Sequence, residues 1–187
     1  MLIRIVLLMS VALPLWAEIP VDCVYPHKDT YEMTPVKDCG LLDEKDALSL
    51  KAELLEKVDW SKYGLTCLYV TQPKAKAGWY YLSQQNLGRI SPFGQDNDCV
   101  YFSDGLAVGL SQGKIIYYDQ SLSIQKETHY TWASHFYQGF SKVCLGNLKR
   151  VGQELFTYQG GRCGFINRSF EVVVPVIHPF EETPEPL

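Results

Sequence analysis

The sequence predicts a mainly β fold: an array of about three β-hairpin repeat units, preceded by one α-helix and held by disulfides. After Trp60, short runs of aromatic and β-branched residues are interrupted every few positions by Gly, Asn, Asp, Gln or Pro, as in strands and hairpin turns. The phrases FSDGLAV and FYQGFSK begin at Phe102 and Phe136, an offset of 34 residues. Such a spacing indicates repeated units, because each unit has an apolar face that its neighbour covers.

The chain begins with the features of a secretory signal peptide. Arg4 precedes an apolar run, Pro14 ends it, and the small residue Ala17 stands before an acidic one. The run is shorter than the roughly 20 residues that cross a bilayer, so cleavage is favoured over the alternative of a retained anchor. We expect residues 1–17 to be removed and the rest to be exported, into the periplasm of a Gram-negative host or out of the cell, with no membrane span.

Residues 18–41 form a Cys- and Pro-containing N-terminal segment with little periodicity. We expect a disulfide between Cys23 and Cys39 to hold this segment. The chain has six cysteines and no C-x-x-C pair, which in an exported protein favours disulfides over zinc or thioredoxin-type chemistry. The spacings leave the rest of the connectivity open. The disulfide candidates are Cys23, Cys39, Cys67, Cys99, Cys144 and Cys163.

Residues 42–59 are predicted to form an amphipathic helix. Asp43 is suited to cap its first turn, and apolar residues recur at steps of three or four along residues 43–58. We expect the apolar stripe to pack on a sheet and the charged residues to face solvent. The stripe consists of Ala47, Leu50, Leu54 and Val58.

Residues 60–178 are predicted to form the β-hairpin repeat domain. Three hairpin-like pieces, AGWYYLS, GKIIYYD and GRCGFIN, begin at residues 77, 113 and 161. A further copy of the Gly phrase, WSKYGL, begins at Trp60 with one inserted residue. The tail, residues 179–187, is rich in Pro and Glu, and we expect it to be frayed or disordered.

At these residues the chain resembles the WG repeat family, also called KWG. The family's unit reads approximately G-K-W-G-Y-I-D, then a turn and an apolar strand, followed after a gap by F-x-x-G-L-A-x-V. GKIIYYDQSLSIQ and GRCGFINRSFEVVVP are similar to the first half, and FSDGLAVGL to the second. The chain departs from the Trp-Gly signature, with WY at 79–80, II at 115–116 and CG at 163–164. The resemblance covers about residues 60–177 and implies a β-hairpin array used for binding or scaffolding, with no catalytic residues to carry over.

Ser111 lies in GLSQG, which has the G-x-S-x-G form of a hydrolase nucleophile elbow. An elbow needs a strand, a strained turn and then a helix, whereas the residues that follow, KIIYYD, are typical of a strand. Three histidines follow and an acid is available, so chain order permits a triad. We interpret Ser111 as a turn residue of a repeated β unit. The possible triad partners are His129, His135, His178 and Asp119.

His129 and His135 flank Trp132 in HYTWASHF, at an even spacing that places both on one face of a strand. No Cys or carboxylate pattern nearby completes a ligand set, so we expect a loop that packs Trp132 into the core rather than a metal site. We expect neither a metal nor a cofactor.

Aromatic residues are numerous, with 12 Tyr, 8 Phe and 4 Trp, and this raises the question of an exposed aromatic face. Trp79, Tyr81 and Tyr117 are the candidates to bind a peptide or glycan, because Tyr and Trp combine a large apolar area with a hydrogen-bonding group. In pairs such as Tyr80-Tyr81 the rings point to opposite faces, so at least half of these rings belong in the core.

Together these features favour an exported, non-enzymatic binding or interaction module of the cell envelope, whose partner is a protein or a surface glycan. The formal net charge of −4 argues against nucleic acid. Two alternatives remain open. One is a secreted serine hydrolase centred on Ser111, and the other is an envelope inhibitor of a foreign hydrolase that presents loops such as SPFGQDND at residues 91–98.

Overall fold

Strands make up most of the residues that the structure describes. The computed structural model describes residues 18–92, 98–100, 102–152 and 156–187, so the predicted signal peptide and most of the SPFGQDND loop lie outside the described residues. The strands are β1 (Ile19–Pro26), β2 (Met33–Leu42), β3 (Leu48–Leu50), β4 (Leu65–Gln72), β5 (Gly78–Ser83), β6 (Gly88–Ile90), β7 (Ala107–Ser111), β8 (Lys114–Tyr118), β9 (Ile124–Glu127), β10 (Trp132–Ala133), β11 (Phe140–Val151), β12 (Thr157–Asn167) and β13 (Val172–His178). The helix α1 (Ala52–Leu55) and two 3-10 turns, Lys74–Lys76 and Phe180–Glu182, complete the regular structure.

The first six strands form a closed barrel. Two three-stranded antiparallel meanders, β1-β2-β3 and β4-β5-β6, join along both of their edges, because β1 pairs with β4 and β3 pairs with β6. Alternate residues of each strand point inward. The resulting core contains Val21, Tyr25, Leu42, Leu48, Leu68, Val70, Tyr80 and Leu82.

The second half of the chain forms two open sheets, ordered β7-β8-β9 and β10-β11-β12-β13. Their shared core also receives side chains from the outer face of the barrel strands β4 and β5. Barrel and open sheets are therefore packed together. The core of this half contains Leu106, Val108, Ile115, Tyr117, Phe136, Val143 and Ile166, with Tyr81 from the barrel.

One turn design joins the last two strands of each three-stranded unit and of the four-stranded sheet. In the turns at 43–47, 83–87, 119–123 and 167–171, the N–H of the first residue donates to the carbonyl of the fifth, and the N–H of the fourth donates back to the carbonyl of the first. The fourth residue has a positive φ each time. In three of the four turns, a side-chain oxygen of the first residue also accepts two backbone N–H bonds. These three residues are Asp43, Asp119 and Asn167.

The two recurring Gly phrases also fold alike. Backbone hydrogen bonds in both directions close the turns at 103–106 and 137–140, with positive φ at both central residues, as in a type I′ turn. The two turns touch, because the N–H of Gly139 donates to Asp104 Oδ2 at 3.0 Å. Membership of the WG family stays a prediction, since it rests on the sequence resemblance.

The helix predicted over residues 42–59 is wrong in extent. Asp43 Oδ1 accepts the N–H groups of Lys45 and Ala47, which stabilises a hairpin turn instead of a first helical turn. The next residues form β3, which pairs with β2 and buries Leu48 and Leu50 while Ser49 faces out. Only the four residues of α1 are helical, and of these only Leu54 is buried.

The two ends of the described chain are more ordered than the sequence suggested. Residues 18–41 contain β1 and most of β2, so the barrel extends across residue 60, where the repeat domain was expected to begin. In the tail, which was predicted to be frayed, the Phe180 ring packs edge-on against Trp132 at 5.1 Å, and Thr183 is buried. The aromatic residue fixes a segment whose composition alone favours disorder.

All six cysteines are paired. Cys23–Cys39 confirms the predicted local bridge, and the other two are Cys67–Cys99 and Cys144–Cys163. Three disulfides indicate an oxidising, extracytoplasmic environment. Over the described ranges, the structure contains no helix of the length and hydropathy that crossing a membrane requires.

Candidate functional site

The outer face of the barrel carries an aromatic pair that the rest of the protein leaves partly open. Along β5, Tyr80 and Leu82 point into the barrel, and alternation therefore turns Trp79 and Tyr81 outward. Trp79 lies opposite Tyr69 of β4, with ring centroids 5.1 Å apart in an edge-to-face arrangement. Both rings are half-buried.

Two adjoining cavities meet at Trp79 and Met33. One, of about 540 Å³, is also lined by the Cys67–Cys99 disulfide and Phe102. The other, of about 400 Å³, is also lined by Val24 and Tyr69. We call the combined feature the Trp79 groove. Met33 is 45% exposed at its edge, so a flexible apolar side chain and an aromatic pair form one accessible surface.

The polar groups of the Trp79 groove are acidic or neutral. Asp59 is half-buried and Asp98 is exposed, and the hydroxyl residues Ser61 and Thr66 also line it. Neither Lys nor Arg is found among the described residues of its lining. The groove therefore suits a ligand that combines an apolar group with a positive charge.

A cross-linked wall supports the groove from behind. The Cys67–Cys99 disulfide ties β4 to the segment that follows residue 97, and the Cys99 N–H donates to Cys67 Sγ at 3.0 Å. The Tyr81 hydroxyl donates a hydrogen bond to the carbonyl of Val100. The backbone N–H of Val100 in turn donates to Ser91 Oγ at 3.0 Å. Burial raises the pKa of Tyr81 far above its ordinary value, although the Ser91 hydrogen bond opposes this shift.

Two of the three residues predicted to form an exposed aromatic face are in the core, so that part of the prediction is wrong. Tyr81 is 3% exposed and Tyr117 is fully buried. The Tyr117 hydroxyl shares a hydrogen bond of 3.0 Å with Ser141 Oγ, and its ring packs against Phe136 and Phe170. The hydrogen-bonding group that suggested a binding role satisfies an internal partner instead. Only Trp79 remains at the surface.

Ser111 occupies a hairpin, as the sequence suggested. It ends β7 and pairs with Lys114 across a turn in which Gln112 and Gly113 have positive φ, and a strand follows where an elbow needs a helix. The first glycine of the motif, Gly109, is required for packing, because a Cβ there would overlap the ring of Tyr118.

The other proposed triad and metal residues have structural roles or stand apart. Asp119 Oδ1 accepts hydrogen bonds from Ser121 and Ser123 in its own turn. His129 is exposed beside Tyr130, and His135 lines a separate cavity. Among the described residues, the one cluster with metal-ligand types in range is Cys67, Asp98 and Cys99, and its two sulfurs are bonded to each other.

Sequence reasoning missed most of the groove. Met33 and Val24 lie in the N-terminal segment that was expected to be irregular. Tyr69 lies on a predicted strand, but no sequence pattern distinguishes it from its neighbours. The available signal was the pairing of LTCLYV, which contains Tyr69, with the aromatic-rich GWYYLS, since large side chains that face each other across strands interact. Comparison with known protein families, with curated proteins and with solved structures finds no match to this chain.

Proposed function

We propose that this protein is an exported, non-enzymatic binding module that holds an extended segment of a partner protein in the Trp79 groove. The observation that carries the proposal is the partly exposed Trp79–Tyr69 pair beside exposed Met33, on a surface braced by a disulfide. Rigid aromatic side chains contribute large contact area at low entropic cost, so they dominate the energetics of many interfaces.

The chemistry of the rim favours a protein partner with a basic side chain. Asp59 and Asp98 supply negative charge at one end of an apolar groove, and a Lys or Arg next to an apolar residue matches both features. A neutral glycan offers no positive charge to these carboxylates. A surface glycan is therefore the second candidate partner.

The resemblance to the WG repeat family supports a binding or scaffolding role, and the predicted signal peptide supports delivery to the periplasm or to the medium. The disulfides agree with such a location, because they form and persist in oxidising compartments. If the partner is a hydrolase of foreign origin, the module is an inhibitor. The identity of the partner therefore decides between the interaction-module and the inhibitor hypotheses.

A comparative pull-down tests the proposal. Residues 18–187, with Trp79 intact or replaced by Ala, serve as bait in an envelope extract of the source organism. We expect one strongly enriched protein, lost with Trp79→Ala because removal of a central aromatic residue weakens binding about 30-fold. The matched control is Tyr137→Ala, since Tyr137 is 67% exposed and lies outside the Trp79 groove.

Retention of the same partner by Trp79→Ala would place the interface elsewhere and overturn the assignment to the groove. Loss of the partner with both variants would show a general effect of removing surface aromatic residues. If the protein enriches no protein but is retained on envelope polysaccharide in a Trp79-dependent manner, the partner is a glycan.

A further inference from the structure

A second cavity, of about 530 Å³, lies where the end of the barrel meets the β8–β9 hairpin. Arg89 of β6 lines it, together with Lys114 and Tyr118 of β8, Glu127 of β9, and Lys45 from the turn at 43–47. We call it the Arg89 pocket. Among the described residues, none lines both the Arg89 pocket and the Trp79 groove.

The Arg89 pocket is basic although the chain is acidic. Three cations, Lys45, Arg89 and Lys114, face one carboxylate, that of Glu127, whereas the whole chain has a net charge of −4. Within the part of the chain that the structure describes, none of the three cations is in an ion pair; Lys51 and Lys76 form the two bridges present there. A local excess of positive charge concentrates anions.

Arg89 is held in place but incompletely satisfied. Its guanidinium carbon lies 5.8 Å from the centre of the Tyr118 ring, a cation–π arrangement. Among the described residues its Nε is buried and has no hydrogen-bond partner. Burial raises the pKa of Tyr118 to about 12, and the Arg89 charge opposes this shift while Glu127 adds to it. The Tyr118 phenol is therefore neutral at physiological pH, and its ring packs against the charged Arg89 guanidinium.

The remaining walls match a ring that carries hydroxyl groups. Ile116 and Ile124 give apolar surface, Ser111 contributes a hydroxyl group, and Glu127 can accept hydrogen bonds from ligand hydroxyls. The Thr128 hydroxyl is already used, because it donates to the carbonyl of Ile115 at 2.8 Å. The volume lies in the range of ligand sites for small molecules.

We propose that the Arg89 pocket binds an acidic sugar, whose carboxylate, sulfate or phosphate group pairs with Arg89 and the two lysines. A guanidinium recognises such oxyanions through two parallel hydrogen bonds, whereas a lysine acts as a point charge. The site is independent of the partner protein proposed for the Trp79 groove. It also gives Ser111 a place in a binding wall.

Isothermal titration of residues 18–187 at low salt tests the site, with glucuronate, glucose 6-sulfate and glucose 6-phosphate as probes. Neutral glucose and inorganic sulfate and phosphate are the controls. We expect saturable binding of at least one charged sugar and none of glucose. Arg89→Gln is expected to weaken this binding about tenfold or more. The matched control is Arg162→Gln, an exposed arginine on β12 that is expected to bind as the unmodified protein does.

Lys114→Gln keeps the test decisive if Arg89→Gln unfolds, because Lys114 is exposed and its loss leaves the core intact. We expect this variant to weaken binding about threefold, through loss of one charge. No saturable binding of any charged sugar at millimolar concentration would overturn the proposal, as would equal affinities in Lys114→Gln and the unmodified protein. Inorganic anions that bind as tightly as the charged sugars would overturn the assignment of a sugar to the cavity. The charged sugar that binds most tightly identifies the anionic group.

Discussion

Tyr81 and Trp79 stand two residues apart on the same outward face of β5, and the molecule treats them in opposite ways. The segment that follows residue 97 covers Tyr81, which is 3% exposed and donates its hydroxyl proton to the carbonyl of Val100. Trp79 is only partly buried and lines both cavities of the Trp79 groove. The second half of the protein thus covers one end of an aromatic outer face completely and the other end only in part.

This difference separates two uses of similar side chains. A covered aromatic side chain stabilises the fold through burial and packing, whereas an uncovered one adds little to stability and is available to a partner. The account therefore predicts that substitutions at the covered end lower the free energy of unfolding, and that substitutions at the open end lower binding.

The largest expected effect comes from Tyr81→Ala. Truncation of a buried aromatic residue leaves a cavity and an unpaired carbonyl, so the free energy of unfolding should fall by about 3–5 kcal/mol. Trp79→Ala should cost less, about 2 kcal/mol, because the Trp79 ring is only partly buried. Urea unfolding of both variants measures the difference. Equal losses would contradict the distinction between the two ends.

The next largest effect concerns the Cys67–Cys99 disulfide, which holds the segment that covers Tyr81. Replacing Cys67 and Cys99 by Ser should lower the free energy of unfolding by about 3.7 kcal/mol. The matched control is the Cys144–Cys163 pair, replaced in the same way. Its sequence separation is 19 residues against 32, so the chain-entropy account predicts a loss smaller by about 0.5 kcal/mol. A larger loss for the Cys144–Cys163 pair would show that the Cys67–Cys99 bridge does not stabilise the segment that covers Tyr81.

A smaller effect isolates the hydroxyl group of Tyr81. Tyr81→Phe keeps the ring and removes the donor to the Val100 carbonyl, so the loss in stability should be about 1 kcal/mol. The groove should then become more mobile at its wall, with faster hydrogen exchange at the Val100 amide. If neither the free energy of unfolding nor the exchange rate of the Val100 amide changes, the hydrogen bond is not needed to hold Val100 against Tyr81.

The smallest effect near neutral pH is expected from ionisation of the covered tyrosines. Burial raises the pKa of Tyr81 and Tyr117 above the ordinary 10.0, and that of Tyr118 to about 12. A phenol whose pKa is higher in the folded state stabilises the fold fully below the unfolded pKa. This contribution is lost as the pH rises from about 10 through the folded values. Unfolding followed by tyrosinate absorbance should therefore set in above pH 10. Full ionisation of all tyrosines at that pH without unfolding would contradict their burial.

The sequence predicted the β architecture and the bridge between Cys23 and Cys39, because strand and turn composition and the local Cys spacing are local signals. It failed at residues 42–59, where Leu spacing matched a helix. The competing signal was present: CGLLD at 39–43 and CGFIN at 163–167 both consist of Cys, Gly, two apolar residues and then Asp or Asn. In both, the residue after Cys is Gly, and a Cβ there would overlap backbone of the next strand.

The candidate site was less accessible to sequence reasoning than the fold. Trp79 and Tyr81 are both aromatic and lie on the same face of the same strand. No local feature of the sequence therefore distinguishes the partly exposed end of this face from the covered end. The distinction depends on where Val100 and Phe102 lie, and the Cys67–Cys99 bridge fixes that position across 32 residues. A contact over such a distance in sequence leaves no periodic trace.

Met33 permits the most direct measurement on the Trp79 groove, because it lies at the groove edge and is the one methionine in residues 18–187. Protein labelled with carbon-13 at the methionine methyl group is added to unlabelled envelope extract, and its methyl signal is followed by NMR. The account predicts a shift or broadening of the Met33 signal that disappears with Trp79→Ala and persists with Tyr137→Ala. A Met33 signal that stays unchanged in extract from which the protein recovers a partner would contradict binding in the groove.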